Sequence, residues 1–85
     1  MKLRSDGITW QEIDGELVIL DLKSSTYLTT NGSGAFLAKL LTEERTTDEL
    51  EAALAAEYEI SPAVAQTDTA AFIDQLVEKQ LLAPS

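Results

Sequence analysis

No cysteine and no histidine occur among the 85 residues. The first absence excludes disulfides, thiolate metal sites and cysteine nucleophiles. The second removes the commonest general base and the commonest metal ligand. Basic residues are scarce: six Lys and Arg stand against fifteen Asp and Glu, for a net charge of −9. Nucleic acids are held largely through Lys and Arg on phosphates, so the composition argues against them as partners. Aromatics are few, and a domain of this length has a limited core, so most of them are expected inside it. No apolar run approaches the roughly 18 residues of a membrane span. The first ten residues, MKLRSDGITW, contain no apolar signal-peptide core. One domain over residues 1–85, cytoplasmic, with no membrane partner, metal or cofactor, is the expectation.

What is present reads as strands followed by helices. ITWQEI alternates, with Ile8 and Trp10 on one face. Asp14-Gly15 follows, a strong two-residue hairpin signal because both positions need positive φ. ELVILDL is the return strand. Its middle, Leu17 to Leu20, is apolar on both faces and predicts the central strand. A third strand, TYLTT from Thr26 to Thr30, is short, half polar and at an edge. It has no Lys or Pro to discourage pairing with another chain. Only its shortness protects it.

Three helices are expected after it. Gly34 to Leu41 pairs Phe36 with Leu40 and Leu37 with Leu41, with Asn31 or Ser33 as cap. Thr46 and Glu49 form a capping box for a second helix, whose face runs through Leu50, Leu54 and Tyr58. Ser61 and Pro62 open a third, to about Lys79. Ala65, Phe72 and Leu76 form its apolar line, widened by Ile73 and Val77. Val64, Asp68, Ala71 and Gln75 lie on the other side. The fold class is α+β: a three-stranded antiparallel meander followed by three helices, with winged-helix-like proportions.

The stretch NGSG, between the third strand and the first helix, raises the question of a phosphate loop. It has two glycines rather than three, and no Gly-Lys-Ser/Thr follows. Glycines that bend a strand into a helix explain it better. The carboxylates around Glu43, Asp48 and Glu57 suit loops and helix starts. Asp68 differs: it lies in mid-helix, where Asp has poor propensity.

The ordered series of motifs resembles the PqqD-like family, the recognition elements of ribosomally made, post-translationally modified peptides. The similarity runs from Trp10 to Leu82. It rests on the Asp-Gly hairpin, the strand through Tyr27 and Asn31, and AFLAKLL (Ala35 to Leu41). It continues in the junction around Tyr58, Ile60, Ser61 and Pro62, and in the run Asp68, Phe72, Ile73, Leu76. Two positions depart from the family pattern: Ser24-Ser25 and Gln80 stand where glycine is common. A stand-alone chain of this size looks most like the recognition protein of lasso-peptide pathways.

The resemblance implies a non-enzymatic module that binds the leader segment of a precursor peptide and presents it to modifying enzymes. The leader adds as a strand to Thr26, Tyr27, Leu28, Thr29 and Thr30, and lies against Val64, Asp68, Ala71, Phe72 and Gln75. Phe72 and Leu76 floor the pocket. Ala71 leaves room for a leader side chain, and Asp68 is placed to accept a hydrogen bond from a leader tyrosine or backbone N–H. The implied enzyme partners are a leader peptidase of cysteine-protease type and an ATP-dependent macrolactam cyclase. Two alternatives stay open: an acidic winged-helix-type module for protein or DNA interaction, and a small subunit that dimerises through the same edge. The third helix has no Arg and a single Lys at its far end, which weighs against DNA.

Overall fold

The structure is a computed structural model and describes residues 1–83, apart from the Asn31 side chain. Three antiparallel strands, β1 (Ile8–Ile13), β2 (Glu16–Asp21) and β3 (Thr26–Asn31), form one sheet in the order β1-β2-β3. Three helices follow: α1 (Ser33–Leu40), α2 (Thr47–Tyr58) and α3 (Pro62–Glu78). The α+β architecture is the one expected. No helix among the described residues is long and apolar enough to cross a membrane.

The β1–β2 turn takes the mirror-image form that matches strand twist, with φ of 52° at Asp14 and 82° at Gly15. Ile13 and Glu16 close it. Leu17 and Ile19 of the central strand are buried. Val18 and Leu20, on the opposite face, are only half-buried. The central strand is therefore covered on one side, not on both. Helices pack on the Ile19 side, and the other side carries Ile13, Leu22 and Tyr27, all more than half exposed or close to it at 50%, 66% and 61%.

The core joins Leu17 and Ile19 to Leu37, Ala38 and Leu41 of the α1 region, Leu50 and Leu54 of α2, and Ala65, Phe72 and Leu76 of α3. Leu3 and Leu81 complete it from the two ends of the chain. Tyr58 stays 43% exposed, though its ring meets Phe36 edge-on at 5.8 Å between centroids. Val77 is 58% exposed and does not widen the apolar line of α3. Thr69 joins that line instead: it is fully buried between Ala65 and Phe72 in the helical pattern. Among the described residues its hydroxyl finds no hydrogen-bond partner.

Helix ends follow local chemistry in two cases of three. Thr46 and Glu49 make the capping box of α2 with bonds of 3.1 and 2.8 Å. Ser61 accepts from the Val64 N–H, and Pro62 takes the first turn of α3. At α1 the expected Ser33 cap is not used. Gly32 is the N-cap, with φ 51° and ψ −123°, and no described side chain caps the helix. Ser33 lies inside it, and the Asn31 side chain lies outside the described part. Past α3, Leu81 N–H donates to Leu76 O and Gln80 N–H to Val77 O, the paired bonds of a Schellman ending. That ending puts Gln80 at φ 58°. Ser25 stands at φ 59° before β3. The two departures from the family pattern thus sit on left-handed backbone, where glycine is the easy choice.

The chain ends are clasped together. Leu3 and Leu82 form an antiparallel bridge, flanked by bonds from Arg4 N–H to Leu81 O and from Ala83 N–H to Lys2 O. Arg4 also reaches the buried Asp21 carboxylate at 3.1 Å and the Gln80 carbonyl at 2.7 Å. Burial alone raises the Asp21 pKa. Hydrogen bonding to Ser24 and Lys23, with the Arg4 charge, outweighs it and holds the group below its ordinary value.

Candidate functional site

In an antiparallel ladder, directly opposed residues alternate between bonded and non-bonded pairs. Leu22 N–H donates to Gly7 O at 2.8 Å, one step beyond the Ile8–Asp21 pair. Gly7–Leu22 is therefore a bonded pair, and so in turn are Thr9–Leu20, Gln11–Val18 and Ile13–Glu16. The last of these is the bonded closure that a two-residue hairpin requires. Even-numbered residues of β2 thus bond to β1. Leu17, Ile19 and Asp21 turn to β3, where they face Thr30, Leu28 and Thr26. It follows that Tyr27 and Thr29 point their N–H and C=O groups away from the sheet, along an unpaired edge.

Beside that edge runs a groove of about 320 Å³, lined by Thr29, Thr30, Ser33, Gly34, Asp68, Ala71, Phe72 and Gln75. It exists because α1 packs against both β3 and α3 and spaces them apart. Thr30 is buried at its margin, with its hydroxyl donating to Leu17 O at 3.0 Å. Phe72 is 6% exposed and gives the groove an apolar floor. Ala71 and Gln75 are exposed on the α3 side. Asp68 is the one charged side chain in the lining.

Six of the residues expected at the site, Thr29, Thr30, Asp68, Ala71, Phe72 and Gln75, come together here. Thr26, Tyr27 and Leu28 belong to the strand but not to the groove lining. The Tyr27 side chain stands opposite Leu20, on the sheet face turned from the helices, so only its backbone reaches the edge. Leu28 bonds inward, opposite Ile19. Val64 is 46% exposed one turn before Asp68, beyond the lining. Leu76 is fully buried and belongs to the core rather than to the groove floor. Ser33 and Gly34 were not anticipated. The available signal was Gly34 itself: glycine is costly inside a helix and needs a local reason. Here a Cβ would lie 3.3 Å from Thr30 Cβ and 3.5 Å from Phe72 Cε1.

An unpaired strand edge over a groove with an apolar floor can take an extended peptide. Main-chain bonds would hold it, and alternate side chains would enter the groove.

The family described as coenzyme PQQ synthesis protein D (PqqD) matches residues 16–82. Two solved structures are similar over almost their whole length. One is TbiB1 in complex with the TbiA(beta) leader peptide: 32% identity, TM-score 0.86, covering 100% of this chain and 98% of that one. Another is lasso peptide synthetase B1 complexed with the leader peptide: 28% identity, TM-score 0.81, covering 98% of this chain and 96% of that one. No curated protein matches the sequence.

Proposed function

This chain belongs to the PqqD family, and from that premise we propose that it binds the leader segment of a ribosomally made precursor peptide in lasso-peptide biosynthesis. The observation that carries the proposal is the outward-facing backbone of Tyr27 and Thr29 beside the Phe72 groove. The leader adds as a fourth strand and drops alternate side chains toward Ala71 and Phe72. Thr26, Leu28 and Thr30 hold the edge in place from the β2 side. Val64 extends the α3 wall beyond the groove. The protein works by binding rather than by catalysis, in the cytoplasm. It hands the leader to a peptidase of cysteine-protease type and to an ATP-dependent macrolactam cyclase.

Fluorescence anisotropy tests the reading. The probes are a labelled TbiA(beta) leader peptide, the ligand of a similar structure, and a labelled DNA duplex. Leader binding that Ala71→Trp weakens, without loss of the circular-dichroism melt, is expected. Duplex binding with no leader binding overturns the proposal in favour of a winged-helix DNA module. The −9 charge argues against that result.

A further inference from the structure

Seven of the eight residues lining the groove are neutral, and the eighth is Asp68. No ion pair among the described residues includes it. Arg4, Lys23, Lys39 and Arg45 are already paired with other carboxylates. Nor can α3 compensate the charge. Its residues Pro62–Glu78 include no Lys or Arg, and the positions one turn either side of Asp68 are Val64 and Phe72. Asp68 also lies beyond the first turn, where the helix dipole favours a carboxylate. Its residue type does nothing for the helix it sits in.

From this we infer that the groove selects peptides carrying a cationic side chain two residues from an apolar one, with Asp68 as the specificity-determining charge. The inference rests on the leader-binding reading and deepens it. The spacing comes from two repeats. Side chains on one face of a strand recur about every 6.8 Å. Asp68 and Phe72 are one helical turn apart, about 6 Å along α3. A strand lying along α3 therefore sets one inward side chain over Phe72, Ala71 and Gly34 and the next beside Asp68. Lys or Arg at that second position meets an unpaired, exposed carboxylate in the groove lining. A neutral or acidic residue there leaves the carboxylate unpaired or repelled.

A random-peptide phage library panned on immobilised wild type and on Asp68→Asn tests this without knowledge of the natural leader. Wild type is expected to enrich Lys or Arg two positions from an aromatic or branched aliphatic residue. The variant should keep the apolar preference and lose the basic one. For one enriched peptide, Asp68→Asn should bind about two- to fivefold more weakly, the range expected of an exposed ion pair. Replacing the peptide's basic residue by norleucine should cost the same, the two changes together no more, and raised salt should shrink the gap. An enriched apolar anchor with no basic partner, or equal binding by Asp68→Asn, overturns this inference and leaves leader binding intact. No enriched consensus at all overturns both.

Discussion

Gly34 and Phe72 meet across the groove floor so closely that a methyl group on Gly34 would stand 3.5 Å from the Phe72 ring. The glycine is there for space and not for backbone conformation, since it lies inside α1, away from the left-handed positions. Gly34→Ala should therefore fold. Helix propensity gains up to about 1 kcal/mol, and the 3.3 Å approach to Thr30 takes some of it back. The melting temperature should stay within a few degrees while leader affinity falls about fivefold, roughly 1 kcal/mol. Unchanged affinity would show that the leader does not reach this floor.

Leu28 and Thr29 should respond oppositely to proline. Leu28 bonds to Ile19 within the sheet, so Leu28→Pro removes a ladder donor and orphans an acceptor at a cost of about 1–3 kcal/mol. Its melt should drop sharply. Thr29 turns its N–H to the open edge, where proline is tolerated. Thr29→Pro should melt near wild type and lose leader binding. Thermal melts and anisotropy titrations of both variants decide this, and a folded Thr29→Pro that binds normally removes the strand-addition reading.

Acid should loosen the clasp between Arg4 and Asp21. The Asp21 pKa is lower in the fold than in the unfolded chain. Its contribution is therefore complete above the unfolded value, near 3.9, and is lost as pH falls through the folded one. The melting temperature should hold from neutral pH to about pH 5 and decline below about pH 4. Asp21→Asn should be less stable at neutral pH and show a shallower decline. Asp6 and Glu49, whose pKa values are also lowered, keep part of the slope.

Gln80→Gly should stabilise the domain. Gln80 holds the left-handed position of the Schellman ending at φ 58°. Relief of a non-glycine residue there is worth about 1 kcal/mol. For a domain of this size that is about 4–8 °C in melting temperature. Calorimetry of the single variant checks it, and a lower melting temperature would mean that the Gln80 side chain contributes more than its backbone costs.

The sequence shows the sheet order and the helix starts because each rests on a local signal: Asp14-Gly15, Thr46 with Glu49, Ser61 with Pro62. The open edge was legible for the same reason, since TYLTT lacks any blocking residue. The direction of its hydrogen bonds was not. The Asp14-Gly15 turn sets the parity of β2, but carrying it to β3 needs the β2–β3 register, which the loop before Thr26 does not encode locally. The same limit hid the burial of Asp21, which depends on Arg4, and that of Thr69, whose polar side chain sits at an apolar position of α3. It also hid the half-bare β2, because an apolar run predicts cover on both faces whether or not a helix arrives on the second. Leu3 reads as part of an unremarkable start, and only its bridge to Leu82 makes it core.

The bridge between Leu3 and Leu82 has a consequence for how this unit can be joined to others. Leu3 and Leu82 lie side by side, and none of the clasp residues lines the groove. A host protein could carry the domain as a graft within a surface loop, entering and leaving at almost one point. A tether joined at either side of the clasp would start from residues outside the groove lining. Fusion to an enzyme then becomes a question of linker length alone, which sets the effective concentration of captured peptide at the neighbouring active site.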